Sequence, residues 1–361
     1  MTNINLTGKT ILITGVAGFI GSSLAIKLLK SIFPINIIGV DNLNDYYDIS
    51  LKEYRLNQIQ LSANGHPESN WLFIKGSISD KKFINFVFDN YCPSIVVNLA
   101  AQTGVRYSTI NPDAYIESNI IGLYNILESC RHSYNKGVWK VEHLVYASSS
   151  SVYGMNQKVP YSTNDKVDTP VSLYAATKKT NELLAHTYSM LYGIPSTGLR
   201  FFTVYGPAGR PDMAYFSFVD KLRSGKVIQI FNYGNCERDF TYIDDIIEGI
   251  IRVMQGAPER RVGENGILKP PYAIYNIGNG QAVNLLNFVD ILQQEMVRAG
   301  ILDESFDFNS HKEFVAMQLG DVAITHADIE TLEADFGFKP HTELREGLRR
   351  FIDWYKYFYK L

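Results

Sequence analysis

Tyr174 and Lys178 stand four residues apart in Tyr174-Ala175-Ala176-Thr177-Lys178, inside a stretch of helical period, so a phenol and an ammonium share one helix face. In a chain with 23 tyrosines such pairs arise by chance, and most are surface neighbours. This one is set apart by its upstream context, Tyr146-Ala147-Ser148-Ser149-Ser150-Ser151-Val152-Tyr153-Gly154, where an apolar strand-like run gives way to four hydroxyls. A cation beside a phenol favours phenolate and draws its pKa toward neutrality, which makes Tyr174 a candidate general base, with Ser149 steadying the reacting oxygen. Capping of a strand end accounts for at least two of the four serines.

A second constellation suits a diphosphate. Thr14-Gly15-Val16-Ala17-Gly18-Phe19-Ile20-Gly21 follows one apolar run and opens an apolar-periodic stretch. In that context Gly15 permits a tight turn, Gly18 lets backbone approach a pyrophosphate, and Gly21 lets helix pack on strand, while the helix N-terminus offers N–H groups to the anion. The next strand ends at Val40-Asp41-Asn42, twenty residues past Gly21. A carboxylate there accepts hydrogen bonds from an adenosine ribose and repels a 2′-phosphate, which predicts NAD rather than NADP.

The elements that must position these residues are short apolar runs alternating with helical patterns. Residues 10–14, 35–40, 71–74, 94–99, 141–147 and 196–199 read as buried strands, and 19–32, 79–90, 113–134 and 172–192 as helices. This rhythm predicts an α/β fold, a Rossmann-like doubly wound parallel sheet, with a smaller mixed α/β C-terminal substrate lobe after Arg200, where Pro and Gly punctuation increases. The expected division is 1–200 for the cofactor domain, carrying Tyr174 and Lys178, and 201–361 for the substrate lobe, with some segments returning to the first domain. Residues 48–69 and 258–270 read as surface insertions or loops, and the closing FIDWYKYFYKL as an amphipathic helix packing its aromatics.

Composition narrows the function classes. A net charge of −3 removes any whole-molecule basic footprint for nucleic acid or anionic membrane, so anionic ligands must be held by local donors. Three scattered cysteines, Cys92, Cys130 and Cys236, suit a reducing compartment. No signal-like start or membrane-length apolar run is seen, so a cytoplasmic location is expected. The seven histidines form no zinc-type cluster, no metal is expected, and Glu182 with His186 reads as a packed or solvated helix pair.

The Gly15–Gly21 loop with Phe19, Asp41-Asn42, Asn98-Leu99-Ala100-Ala101, the serine run ending in Val152-Tyr153-Gly154, and Tyr174/Lys178 together resemble the extended short-chain dehydrogenase/reductase family of nucleotide-sugar enzymes. The resemblance covers nearly the whole chain. It implies bound NAD, held by Gly15, Gly18, Phe19, Ile20, Gly21, Asp41, Asn42, Ile78, Leu99, Ala100, Ala101, Asn119, Tyr174 and Lys178. It also implies a UDP-sugar in the C-terminal lobe, with Arg238 on the diphosphate, Phe231 on the uracil, and Gln229 in the same segment. Asp321 is a candidate for the uridine ribose.

Within this family the 4,6-dehydratases carry an Asp-Glu pair before Val-Tyr-Gly, and the sugar-acid decarboxylases a Glu. Ser150 and Ser151 occupy those positions, which leaves reversible oxidation and reduction at C4. Residues 41–48, 101–108 and 206–215 resemble the UDP-glucuronate 4-epimerases. The implied reaction has Tyr174 take the O4 proton while C4 gives hydride to NAD; the 4-keto sugar then turns and receives hydride on its opposite face. Thr203 replaces the Asn of galactose epimerases and is a candidate carboxylate ligand, with Ser149, Ser150 or Arg210 assisting. The alternatives are an epimerase for UDP-glucose or UDP-N-acetylglucosamine, a UDP-glucuronate decarboxylase, and a catalytically silent NAD-binding protein.

Some positions depart from the family. Ser77 stands where an Asp usually meets adenine, Thr103 is polar where relatives have an apolar residue or Lys, and Gln318-Leu319-Gly320-Asp321 lacks the Arg of the galactose epimerases. Relatives pair the helices near 113–134 and 172–192 into a four-helix bundle. A homodimer is therefore expected, using Leu183, Leu184, Tyr188 and Leu191, and surface polysaccharide supply is the suggested pathway.

Overall fold

The computed structural model describes residues 1–135, 137, 139–263, 266–318 and 321–361. The strands that build its two main sheets are β1 (Thr10–Thr14), β2 (Asn36–Asp41), β3 (Asn70–Lys75), β4 (Ile95–Asn98), β5 (His143–Ser149), β6 (Ser196–Phe201), β7 (Thr203–Tyr205), β8 (Glu237–Tyr242), β9 (Tyr272–Ile277) and β10 (Ala282–Asn284). Seven of them form one parallel sheet in the order β9-β6-β5-β4-β1-β2-β3. In-register parallel pairs such as Ile11↔Ile37 and Ile11↔Ile95 fix β1 between β2 and β4. The β1, β4 and β6 strands are buried almost throughout, the expected consequence of covering both faces of a parallel sheet with helices. Strand order reverses between β1 and β4, and the crevice at that reversal is where the carboxyl ends of a doubly wound sheet receive ligands.

The covering helices are α1 (Phe19–Ser31), α2 (Ile49–Asn64), α3 (Lys81–Tyr91), α4 (Gly122–Asn135) and α5 (Leu173–Tyr192). Leu12, Val40, Val96 and Leu144 of the sheet pack with Leu123, Ile126, Leu127 and Ala185 of α4 and α5 in one buried cluster. Three expectations are refined. The stretch 48–69, read as a surface insertion or loop, contains the 16-residue α2. Its buried side chains include Lys52, Arg55 and Ser62 as well as Leu51 and Ile59, so an inward face that is half polar hides the apolar periodicity. The single helix expected over 113–134 is interrupted by a π-helical turn, Ile116–Ile121, before α4 begins. The stretch 258–270 also holds two short antiparallel strands, Arg261–Val262 and Leu268–Lys269.

Two compact units emerge, the first made of residues 1–154, 166–200 and 247–275 and the second of 155–165, 201–246 and 276–361. In the second, β8 lies between β7 and β10, and helices α6 (Ala214–Arg223), α7 (Leu285–Arg298) and α8 (Leu344–Tyr359) supply an aromatic core. Phe351 of α8 meets Tyr215 edge-on at 4.8 Å, and Phe240 stacks on Phe288 at 4.3 Å, which realises the packing expected of the C-terminal aromatics.

His143, fully buried at the start of β5, faces Thr197 Oγ1 at 2.8 Å, and burial pushes its pKa down to about 4. Between that value and the unfolded value near ~6.5 the unfolded chain binds a proton that the folded chain refuses, so stability is lost as pH falls through this window. Urea titrations at pH 7 and pH 4.5 are expected to show His143→Gln losing less stability than the parent on acidification, the difference approaching about 3 kcal/mol at its limit. Equal losses in both proteins would exclude His143 as the sensitive group.

Candidate active site

The glycine loop leaves β1 at the strand-order reversal. Gly15 has φ +68°, and a Cβ on it would lie 2.8 Å from the backbone nitrogen of Ala100, so the turn after β1 runs directly against the turn after β4. A Cβ on Gly18 or Gly21 would approach the Gly15 carbonyl oxygen to 2.9 or 2.3 Å. Thr14 ties the two turns together: its hydroxyl donates to Asn98 Oδ1 at 2.7 Å and accepts from the Ala100 N–H at 3.2 Å. No side chain caps the α1 N-terminus at Gly18, which leaves the first-turn N–H groups of Phe19, Ile20 and Gly21 without the usual side-chain acceptor. An uncapped helix start behind a loop with no room for side chains fits a dinucleotide pyrophosphate.

At the end of β2, Asp41 is 8% exposed and accepts from the Ala17 N–H at 3.1 Å and the Leu43 N–H at 2.8 Å. These bonds hold the carboxylate beside the loop, and Asn42 follows it. Ser77 bonds Ser79 at 2.8 Å in the turn after β3, so a hydroxyl pair occupies the place where the family usually has Asp. Ile78 is buried there, and its carbonyl accepts from Asn125 Nδ2 at 2.9 Å. Asn119 lies in the π-helical turn and bonds both sides of the Gln102 backbone, accepting from its N–H at 2.8 Å and donating to its carbonyl at 3.1 Å; it also donates to Thr177 Oγ1 at 3.0 Å. The wide turn thus binds the segment after Leu99, Ala100 and Ala101 to α5.

Tyr174 and Lys178 occupy the first turns of α5, whose cap, Ser172, accepts from the Ala175 N–H. The Tyr174 ring meets Tyr115 edge-on at 6.1 Å, and the Lys178 ammonium lies 5.9 Å from its centroid. Lys178 donates to the Ala147 carbonyl at 2.8 Å, which aims it at the end of β5. Complete burial lowers its pKa to about 8. Ser149 caps the turn that follows, accepting from the Ser151 N–H at 3.1 Å, and its hydroxyl donates to Ser151 Oγ at 3.1 Å. Ser150 opens that turn.

One group at this end of the sheet escaped prediction. Glu182, on the next turn of α5 after Lys178, does not pair with His186, which instead meets the Tyr272 ring at 5.1 Å. It accepts from Arg200 Nε at 2.8 Å and Nη2 at 2.9 Å and from the Ser148 hydroxyl at 2.7 Å, and Arg200 Nη1 donates to Tyr153 at 3.0 Å. The Tyr174, Lys178, Glu182 series at four-residue spacing is its sequence signal, but the partner Arg200 comes from a different strand.

Within the second unit, Arg238 donates to the carbonyls of Glu237 at 2.9 Å and Ala323 at 2.8 Å. Its neighbour Asp239, fully buried, receives the N–H groups of Asn279 at 2.6 Å, Gly280 at 3.0 Å and Ala327 at 3.1 Å, which gathers two segments beside β8. Gln229 pairs with Glu313 at 3.0 Å, Phe231 opens a short 3-10 turn, and Thr203 begins β7 opposite Phe240. Arg210 forms a two-point ion pair with Asp212. Asp321 is half-buried and bonds back to Gln318, while Leu319 and Gly320 lie outside the described residues. Among the described residues no His/Cys/Asp/Glu group could hold a metal ion, and no helix is long and apolar enough to cross a membrane.

Comparisons with known proteins agree with this architecture. The sequence model of the NAD dependent epimerase/dehydratase family matches residues 11–278. The chain is 47% identical over 356 residues to Protein CapI of Staphylococcus aureus, covering 97% of this chain and 99% of that one. It is 42% identical over 358 residues to UDP-glucuronate 4-epimerase 4 of Arabidopsis thaliana, covering 98% and 76%. The crystal structure of UDP-glucuronic acid 4-epimerase from Bacillus cereus in complex with UDP-glucuronic acid and NAD superposes with a TM-score of 0.79 at 30% identity, covering 97% of this chain and 100% of that one.

Glu182→Gln leaves the Arg200 guanidinium buried beside a neutral amide. It is expected to cost about 3–5 kcal/mol of unfolding free energy, because a buried charge without its counter-charge is costly. Urea denaturation checks this, and a loss below about 1 kcal/mol would show that the pair does not carry the packing described.

Proposed function

From the premise that the chain belongs to the NAD dependent epimerase/dehydratase family, we propose that it is a UDP-glucuronate 4-epimerase, an isomerase that interconverts UDP-glucuronate and UDP-galacturonate through a 4-keto intermediate. The observation that carries this reading is the end of β5: Lys178 reaches from α5 to the Ala147 carbonyl with the Tyr174 ring 5.9 Å from its ammonium, and the turn that follows the strand offers hydroxyls, Ser150 and Ser151, and no carboxylate. Without an acid/base carboxylate at that position neither elimination nor assisted decarboxylation is well served, whereas C4 inversion does not need one. The identity to the plant UDP-glucuronate 4-epimerase supports the sugar assignment over the neutral-hexose alternatives.

The chain's own residues account for the proton steps. Bound NAD supplies the hydride acceptor and donor at sugar C4. Tyr174 takes the proton from O4 on oxidation and returns it on reduction, and Lys178, oriented by the Ala147 carbonyl, stabilises the phenolate. Ser149 hydrogen-bonds the reacting oxygen, exchanging its contact with Ser151 for the substrate. The first unit holds the cofactor through Gly15, Gly18, Phe19, Ile20, Gly21, Asp41, Asn42, Ile78, Leu99–Ala101 and Asn119. The second holds the UDP group through Gln229, Phe231, Arg238 and Asp321. Thr203 receives the sugar carboxylate and keeps it out of line with the C4 carbonyl, which protects a β-keto acid from losing CO₂. Arg210 assists only by releasing Asp212.

A homodimer, a cytoplasmic location and a role in surface-polysaccharide supply complete the proposal. α5 presents Leu183 at 58% and Leu191 at 64% exposure, and Ile121 of the π-helical turn and Tyr124 of α4 are exposed, so two apolar helix faces await a second copy. Light scattering is expected to give twice the chain mass. The three free cysteines suit a reducing compartment.

Tyr174→Phe is expected to abolish conversion of UDP-glucuronate to UDP-galacturonate, read by NMR of the products, while the purified protein keeps its NAD. Retained epimerisation would exclude Tyr174 as the base, and a pentose product from the parent enzyme would replace the epimerase reading with decarboxylation.

A further inference from the structure

The α2 helix joins the cofactor side of the first unit through two side chains that soluble helices rarely bury. Arg55 is 1% exposed, and its Nη1 donates to the Ala17 carbonyl at 3.1 Å and to the Tyr47 hydroxyl at 2.6 Å. One turn earlier Lys52 is 5% exposed and donates to both the carbonyl and Oδ1 of Asn44, each at 2.8 Å. The Tyr47 ring lies beneath both cations, at 5.2 Å from the ammonium and 5.4 Å from the guanidinium carbon. Burial lowers the Lys52 pKa, while Asp41 opposes that shift.

Ala17 sits between Gly15 and Gly18 in the glycine loop. The peptide on its N-terminal side is held by Asp41, which accepts the Ala17 N–H, and the peptide on its C-terminal side is held by Arg55, which donates to the Ala17 carbonyl. This second peptide also carries the Gly18 N–H at the start of α1. A loop with three glycines has more backbone freedom to lose than the same loop without them, so a clamp on consecutive peptides removes part of that cost before a ligand arrives. Lys52 and Tyr47 extend the same grip to residues 44–47, just beyond Asp41.

We propose that Arg55 and Lys52 are positioning residues for the cofactor: α2 clips the glycine loop and the segment after Asp41 into their binding geometry, and so sets how tightly NAD is retained. The proposal rests on the NAD-dependent reading above. It places neither side chain on the dinucleotide; both act through Ala17, Asn44 and Tyr47.

The test is NAD binding without any sugar nucleotide, by titration calorimetry on NAD-free protein and by NAD content after gel filtration of protein as purified. Arg55→Met is expected to raise Kd about tenfold or more, the loss of a charge-assisted hydrogen bond and its ordering effect. Arg55→Lys, which keeps one donor, is expected to recover part of the loss, and Lys52→Met to weaken binding a fewfold. Melting temperatures of the NAD-free proteins separate this from a general loss of fold: a purely structural Arg55 lowers the melting temperature and leaves Kd unchanged, and that result overturns the proposal. If Arg55→Met does not fold, Tyr47→Phe and Lys52→Met decide, and parental affinity in both overturns it. Failure of the parent protein to bind NAD would overturn the underlying reading instead, and failure to epimerise UDP-glucuronate would leave this measurement unaffected.

Discussion

Glu182 and Arg200 form a two-point ion pair with each side chain only 2% exposed, and the geometry of the reacting end of the sheet depends on it. Two charges are kept out of water only where their remaining hydrogen-bonding groups are met, and here Ser148 and Tyr153 meet them. Those partners are not arbitrary. Ser148 immediately precedes Ser149, Tyr153 closes the turn after the serine run, Arg200 lies in β6, and Glu182 stands one turn beyond Lys178 and two beyond Tyr174 on α5. The pair therefore fixes the register of the helix that carries Tyr174 and Lys178 against the strand that ends in the serines. Tyr272 adds a further tie, donating to the Glu182 carbonyl at 3.0 Å and sharing a 2.8 Å bond with Tyr146.

With that register set, the chemistry follows from local electrostatics. A net charge of −3 gives the molecule no general attraction for a dinucleotide and a sugar diphosphate. The first unit has an uncapped helix start behind a loop that excludes side chains, and in the second the proposed diphosphate ligand, Arg238, stands on a strand anchored by buried Asp239. Lys178 is a buried cation whose pKa falls to about 8. Burying it costs stability near neutral pH, and its position beneath the Tyr174 ring is the return: an ammonium shielded from water acts on a neighbouring phenol far more strongly than an exposed one.

The parts legible in the sequence are those whose partners lie close along the chain. The glycine loop, Asp41, and Tyr174 with Lys178 each sit within one strand–turn–helix or one helix turn, and the alternation of apolar runs gave the sheet. Features made by distant residues stayed hidden. Glu182 looks like half of an ordinary surface pair with His186 until β6 brings Arg200 to it. The α2 helix was missed because Lys52 and Arg55 occupy its inward face, and no apolar period marks an interior built for polar contacts. The π-helical turn at Ile116–Ile121 is likewise set by what Asn119 must reach, the Gln102 backbone and Thr177, rather than by the propensities of its own residues. In the second unit, Arg238 was expected from its motif, whereas the Asp239 hub appears only when residues 279–280 and 327 converge on one carboxylate.

The most direct test of the mechanism is the fate of the hydrogen at C4. UDP-glucuronate carrying deuterium at C4 should yield UDP-galacturonate that retains the deuterium at C4, with none lost to water, because the hydride leaves and returns within one site. Loss of the label to solvent, or release of CO₂ with a pentose product, would contradict it.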